Sequence, residues 1–175
     1  SGLQSLMGGG ILTGGEGSIV IHQLIKDIVL EMMPKSRSLR IHRILSEHYR
    51  ERLDLQTMPV KDVSGRIIDL REYLHHIWTC GTIGERLSAI SDMGEELMSR
   101  SLNDDLERYS KDMLEEISRS HEAESLDPSL MIRIMIYHGW CLSVRGEWEK
   151  ALEEYDRARM RSEERRVGKE CIVKC

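Results

Sequence analysis

The stretch that decides the fold covers residues 131–160 and reads MIRIMIYHGWCLSVRGEWEKALEEYDRARM. Small residues recur in it: Gly139 and Ala151 stand where two helices must approach each other closely, and Gly146 stands where the chain must turn. Large residues are expected to fill the space between the helices. These large residues are Leu142, Trp148 and Tyr155. Together with the small residues, the pattern comprises Gly139, Leu142, Gly146, Trp148, Ala151, Tyr155 and Ala158. This alternation predicts a helical hairpin.

The hairpin resembles a tetratricopeptide repeat, a unit of about 34 residues. The resemblance is carried by residues 137–142, 145–148, 151–155 and 157–158. Repeats of this family bind other molecules rather than transform them. The resemblance therefore implies a protein-binding function and no catalytic site in this chain.

In tetratricopeptide repeats the first helix of each pair lines a concave groove, so the resemblance also implies a groove face here. A protein or peptide partner, or a small inducer, is expected in that groove. An exposed Trp140 would be a natural hot spot for binding, and the alternative is that it packs on a neighbouring helix. The implied groove-face residues are Arg133, Ile136, Trp140 and Ser143.

The composition favours a mainly all-α protein. Phe is absent, Met occurs 10 times and 40% of the 175 residues are apolar, so a core would consist mostly of Leu, Ile and Met. No apolar run approaches the roughly 20 residues that a bilayer-spanning helix needs. A cytoplasmic location, with no membrane partner, is the expectation. The net charge of −5 disfavours nucleic acid as a partner.

Residues 161–171, RSEERRVGKEC, resemble the translation of a common high-throughput sequencing adapter. We therefore expect residues 161–175 to be an artefactual tail, and the chain to be a truncated fragment. The alternative is a basic, solvated helix end. If the tail is artefactual, its arginine pair is no nucleic-acid patch and Cys171 and Cys175 are no metal ligands.

The chain before residue 131 predicts one β-hairpin followed by helices. Residues 10–13 and 18–21 are β-prone and flank the glycine-rich turn 14–17. Helices are expected over about 22–33, 36–53 and 67–78, then from residue 83. Asn103 is expected to cap the next helix, and Asp127 with Pro128 to begin the repeat hairpin.

These elements predict four segments. Residues 1–54 would form a partial winged helix, with the hairpin as its wing, and the helix that follows. Residues 55–65 would be a linker, and residues 66–160 would form about two and a half tetratricopeptide-like hairpins at the beginning of a right-handed solenoid. Residues 161–175 are the expected tail.

This order of elements resembles the C-terminal half of STAND-type signalling ATPases. Residues 21–27, 40–42 and 46–49 carry the likeness, together with Glu72, His76, Cys80 and Gly81. In that family a P-loop domain precedes the winged helix, and the repeats detect an inducer or a partner. This chain contains no G-x-x-x-x-G-K-S/T motif, so no ATPase activity is expected from this segment. The resemblance implies that the segment is a regulatory sensor fragment of a larger signal-transduction ATPase. The alternative is a DNA-binding transcriptional regulator with a repeat-type sensor.

Two His/Cys pairs raise the question of a zinc site. His76 and Cys80 are four residues apart, and His138 and Cys141 are three apart, so together they could form a Cys2His2 set. The favoured interpretation is that His76 pairs with Glu72, one turn earlier, and that the cysteines pack in the core. No cofactor or metal site is therefore predicted.

Three other histidines, His22, His42 and His48, could suggest acid-base chemistry. None of them stands in a recognisable nucleophile arrangement, and a lone histidine is more often a hydrogen-bonded packing residue. No catalytic residue is predicted.

Overall fold

The computed structural model describes residues 12–15, 18–21, 32–55, 63–120 and 125–173, without the side chains of 12–21, Leu55 and 165–173. Contacts divide the chain into two compact units, residues 1–41 and residues 42–175. The described part of the second unit is entirely helical apart from turns. This confirms the all-α class predicted for most of the chain.

The first unit contains a short β-hairpin. Strands β1 (Leu12–Gly15) and β2 (Ser18–Ile21) pair antiparallel, with Leu12 opposite Ile21 and Gly15 opposite Ser18. Gly14 and Gly15 therefore belong to β1, and the predicted turn at residues 14–17 was two residues too long. The assignment of this hairpin as the wing of a winged helix is not supported. The helix expected over about 22–33 falls mostly outside the described residues.

Six helices follow in the described residues, and their bounds agree with the sequence periodicity to within a few positions. The predicted helix over 36–53 spans Lys35–Leu55, and the predicted linker over 55–65 overlaps the start of the next helix at Val63. The helices are α1 (Lys35–Leu55), α2 (Val63–Cys80), α3 (Ile83–Ser99), α4 (Asn103–Arg119), α5 (Pro128–Val144) and α6 (Trp148–Val173). None of them combines the length and the apolar character that a bilayer crossing requires.

The helices of the second unit contact one another in a repeat-like pattern. Consecutive helices from α2 to α6 pack together, and α3 also packs directly against α5. Arg71 of α2 donates a 2.7 Å hydrogen bond to Asp105 of α4, and the rings of Trp78 and Tyr109 are 4.6 Å apart between the same helices. Helices α2 and α3 thus each contact the next helix and the one beyond it, as in stacked α-hairpins.

One continuous core runs through α2, α3, α4 and α5 and includes Leu53 of α1. Leucine and isoleucine fill most of its positions, in line with the expected core of Leu, Ile and Met, and Tyr, Met, Ala and Cys fill the rest. Its fully buried side chains include Leu70, Leu74, Leu87, Ile90, Leu97, Leu106, Met113 and Ile134. Burial of these apolar side chains is the main stabilising term of the unit.

The α5–α6 hairpin confirms most of the small-residue pattern. Ala151 and Ala158 are buried, Gly146 turns the chain at φ +81°, and a Cβ on Gly139 would lie 2.8 Å from the Tyr155 ring. Leu142 is also buried, but Trp148 was predicted wrongly as an interhelical filler. It is 64% exposed, because it is the first residue of α6 and lies beside the turn at Gly146 rather than between the helices.

Two helix starts show how local hydrogen bonds fix the boundaries. Asp127 caps α5 by accepting a 2.8 Å hydrogen bond from the Ser129 backbone N–H, as predicted. Asn103 was predicted wrongly as a cap: it is already the first residue of α4, and Leu102 holds the cap position without a side-chain hydrogen bond. The chain turns into α4 through Ser101, which has φ +58°.

Helices α2 and α3 are joined by a largely buried ion pair. Arg66 of α2 donates to both carboxylate oxygens of Glu96, at 2.5 and 2.7 Å, and Arg100 donates to the same carboxylate at 2.8 Å. The hydrogen bonds from Arg66 are the main reason that the pKa of Glu96 lies below its usual value.

The close approach of α3 and α5 predicts opposite effects for two glycines of one helix. A Cβ on Gly94 would lie 2.1 Å from the ring of Tyr137, whereas a Cβ on Gly84 would have no neighbour within 4 Å. Gly94→Ala should therefore lower the free energy of unfolding by about 1–3 kcal/mol. Gly84→Ala should leave it unchanged or raise it by up to about 1 kcal/mol, because Ala favours helix.

Urea unfolding of the two variants beside the wild type measures both effects. Equal stability of the two alanine variants would contradict the α3–α5 packing.

The Arg66–Glu96 pair predicts a pH-dependent loss in Glu96→Gln. A carboxyl group with a lowered folded-state pKa stabilises the fold above its unfolded pKa, near 4.5, and this contribution disappears as the pH falls. Glu96→Gln should thus cost about 2 kcal/mol at pH 7 and much less at pH 3. The matched control is Glu115→Gln on α4, whose partner Arg119 is exposed; it should cost less than about 0.5 kcal/mol. Denaturant titrations at both pH values would refute the prediction if the Glu96→Gln deficit did not change.

Candidate functional site

Helix α5 carries the groove-face residues that the sequence predicted. Its start is fixed by Asp127 and by Pro128 in the first turn, and its end by the turn at Gly146. Pro128 suits this position because proline has no backbone N–H, and an N–H in the first turn would have no partner within the helix. The positions 133, 136, 140 and 143 recur at intervals of three and four residues, so they lie on one stripe of the helix.

The first half of this stripe is accessible. Ile136 is 43% exposed, and Arg133 is also exposed. The Arg133 guanidinium donates a 3.4 Å hydrogen bond to the backbone carbonyl of Ser91 on α3. The hydroxyl of Tyr137, on the same helix as Arg133, donates to this carbonyl at 3.3 Å. The stripe is thereby anchored to α3 while Ile136 stays open to water.

The second half of the stripe is partly packed. Trp140 is half-buried and packs against the core, so part of its ring is covered and part remains available. The Ser143 hydroxyl donates a 2.7 Å hydrogen bond to the Trp140 backbone carbonyl. The packing that one alternative expected for Trp140 is thus present in part, and its role as a groove residue stays a prediction.

A cleft of about 580 Å³ between α1 and α3 was not predicted from the sequence. Its floor is formed by Tyr73 and Ile77 of α2, and polar side chains dominate the walls. The wall residues are Arg43, Ser46, Glu47 and Arg50 of α1 with Gly84, Glu85, Ser88 and Asp92 of α3. No local motif indicates this cleft, because its two walls come from distant parts of the sequence. Arg43 and Glu85, for example, are 42 residues apart in the chain.

Two ion pairs cross this cleft. Arg43 donates to both oxygens of Glu85, at 2.7 and 3.0 Å, and Arg50 lies 4.0 Å from Asp92. The hydrogen bonds from Arg43, and then those within the Thr82–Glu85 capping box, lower the pKa of Glu85 to about 2. The carboxylate is thus ionised throughout the physiological range and serves to hold α1 on α3.

Three histidines that the sequence did not group lie together between α1 and α2. One ring nitrogen from each of His42, His75 and His76 falls within 4.8 Å of the other two. The Nδ1 atoms of His42 and His76 are 2.8 Å apart, and Glu72 Oε2 lies 3.5 Å from His76 Nε2. The expected proximity of His76 and Glu72 is confirmed. Nitrogen ligands in this arrangement are of the kind that zinc and related metals bind.

Burial sets the protonation of this cluster. Burial is the main cause that lowers the pKa of both His42 and His76, and the neighbouring histidines lower it further. The Glu72 carboxylate acts in the opposite direction on His76. Both rings are therefore mostly neutral at pH 7, and in the 2.8 Å hydrogen bond between the two Nδ1 atoms one ring donates its N–H and the other accepts.

The Cys2His2 set considered from the sequence does not form among the described residues. His138 lies 3.5 Å from Glu154 of α6, and the Cys141 thiol donates to the Asn103 carbonyl at 3.7 Å. Burial is the main cause that raises the pKa of Cys141 to about 12, so it stays a protonated core thiol. Cys80 is likewise a free thiol, at the end of α2.

Of the other histidines, His48 is exposed on α1, 5.4 Å from the ring of Tyr49, and His22 lies outside the described residues. His42, which was expected to be a lone packing residue, is instead a member of the histidine cluster.

Comparison with protein families, with curated proteins and with solved structures finds no match for this chain.

The half-buried position of Trp140 predicts an intermediate effect of truncation. Trp140→Ala should lower the free energy of unfolding by about 1–3 kcal/mol, less than the 3–5 kcal/mol typical of a fully buried Trp. Ile136→Ala, on the same stripe but exposed, should stay within about 0.5 kcal/mol of the wild type. Chemical unfolding followed by circular dichroism measures both. If Trp140→Ala lowered the free energy of unfolding by more than about 4 kcal/mol, Trp140 would be a core residue and would not belong to the binding face.

Proposed function

We propose that this chain is a protein-interaction segment built from helical repeats, and that the α5 face binds a protein or a peptide. The binding residues would be Arg133, Ile136, Trp140 and Ser143. The observation that supports the proposal is an exposed isoleucine between an arginine and a half-buried tryptophan on a helix that is fixed at both ends. Arg and Trp are the residue types that most often dominate binding energy at interfaces.

The rigidity of α5 favours binding. Tyr137 and Arg133 hold it to α3, and Gly139 lets α6 pack closely behind it. A face that is ordered before binding loses little conformational entropy when a partner arrives. Burial of the exposed apolar side chains on such a face by a partner contributes favourable binding free energy, and no free energy is needed to order the helix first.

The regulatory context remains a proposal that rests on the resemblance to STAND-type signalling ATPases. In that context the helical repeats would detect a partner or an inducer, and the P-loop chemistry would belong to another segment of the same polypeptide. The net charge of −5 supports this context over DNA binding, because nucleic-acid-binding domains are usually strongly basic. A P-loop motif in the same gene would support it, and a gene without one would count against it.

The binding face can be tested without knowledge of the natural partner. A random peptide library displayed on phage would be selected against the full chain, and the enriched peptides synthesised with a fluorescent label. Ile136→Ser should weaken peptide binding at least about tenfold, which corresponds to 1.4 kcal/mol. Fluorescence anisotropy gives the affinities.

The matched control is Ile68→Ser on α2, because Ile68 is also an exposed isoleucine, at 58%. It should bind the selected peptides as tightly as the wild type does. Peptides that bind Ile136→Ser and the wild type equally, or a selection that enriches no peptide, would argue against a binding site on α5.

A further inference from the structure

The strongest unassigned feature is the cluster of His42, His75 and His76. In the part of the chain that the structure describes, it is the one group of three potential metal-ligating side chains whose ligand atoms all lie within 4.8 Å of one another. Two of the rings come from adjacent residues at the end of α2, and the third comes from α1, 34 residues before His76. The cluster therefore joins two helices.

The spacing of the ring nitrogens fits a tetrahedral metal ion. Zinc–nitrogen bonds are about 2.0–2.1 Å long, so two nitrogen ligands of one tetrahedral zinc lie about 3.3 Å apart. The His42 and His76 Nδ1 atoms are at 2.8 Å, and the whole set fits within 4.8 Å. Metal binding would displace the proton of the hydrogen bond between these two atoms to solvent or to the second nitrogen of the same ring, and small rotations of the rings would bring all three nitrogens to bonding distance.

The surroundings of His76 resemble the outer shell of a metal ligand. Its Nδ1 faces His42, while its Nε2 lies 3.5 Å from the Glu72 carboxylate on the preceding turn. A ligating histidine usually directs its second nitrogen to a carboxylate, which fixes the ring and increases its basicity. The Tyr49 ring stacks on His76 at a centroid distance of 5.8 Å and restricts its rotation further.

Burial and access are also suitable. His76 is buried and His42 half-buried, whereas His75 is exposed, so an ion can enter from solvent beside His75.

We propose that His42, His75 and His76 bind one divalent transition-metal ion, with zinc as the best fit, and thereby join α1 to α2. Three protein ligands leave the fourth tetrahedral position for water or an external ligand. The Glu72 carboxylate orients His76 and does not bind the metal. This site is independent of the binding face on α5, so either proposal can fail without the other.

Calorimetric titration of zinc chloride into the full chain tests the site. Cys171→Ser and Cys175→Ser are introduced in every protein, so that thiolates near the C-terminus do not bind the metal. The wild-type background should bind one zinc ion per chain. Cobalt in place of zinc should give visible absorption without a thiolate charge-transfer band, because all three protein ligands are nitrogens.

The decisive variant is His75→Ala, because His75 is exposed and its loss should leave the metal-free thermal midpoint unchanged. The substitution should weaken zinc binding at least about tenfold, because even the loss of an outer-shell partner typically weakens metal affinity about 10-fold or more. Glu72→Gln, which removes only that partner, should weaken binding about 10-fold. The matched control His48→Ala lies on α1 outside the cluster and should bind zinc like the wild type.

Zinc should also raise the thermal midpoint of the wild type and of His48→Ala, and at the same zinc concentration it should raise that of His75→Ala less. The proposal is overturned if the wild type binds no zinc at millimolar concentrations, if His75→Ala binds as tightly as the wild type, or if His48→Ala loses affinity equally. A cobalt complex with a thiolate band would also overturn the ligand set.

Discussion

The close contact between Gly94 of α3 and the ring of Tyr137 on α5 is the constraint on which the second unit depends. Any side chain at position 94 would occupy the space of that ring. The ring in turn places its hydroxyl on the Ser91 carbonyl, which also accepts from Arg133. One missing side chain thus sets the distance between two helices, and that distance fixes which residues of α5 remain open to solvent.

The sequence predicted those features whose cause is local. Helix periodicity, the Asp127 cap and the glycine turn at position 146 depend on neighbouring residues, and the structure has all three. Trp148 was misplaced because the repeat pattern gives a residue type at a position but not the depth of that position beside a turn. Asn103 was misplaced by one residue because Ser101 turns the chain earlier than a side-chain cap requires.

The histidine cluster and the cleft between α1 and α3 could not be predicted, because both depend on the register of distant helices. His42 meets His76 across 34 residues, and Arg43 meets Glu85 across 42. Each residue alone is unremarkable on a helix surface, and only tertiary packing decides which pairs meet. The role of Glu85 could not be predicted from the sequence either, because its carboxylate takes part in the cap of α3 and also binds the distant Arg43.

Helix α1 is attached differently from the helices that follow. Of its described side chains only Ser46 and Leu53 are buried, and long side chains such as Arg43 and Arg52 connect it to α3 and α2. At physiological ionic strength charges on a protein surface are screened over about 8 Å, whereas apolar packing is not weakened by salt. The attachment of α1 therefore depends more strongly on ionic strength than the α5–α6 hairpin does. One polypeptide thus combines two junctions that differ in their response to salt.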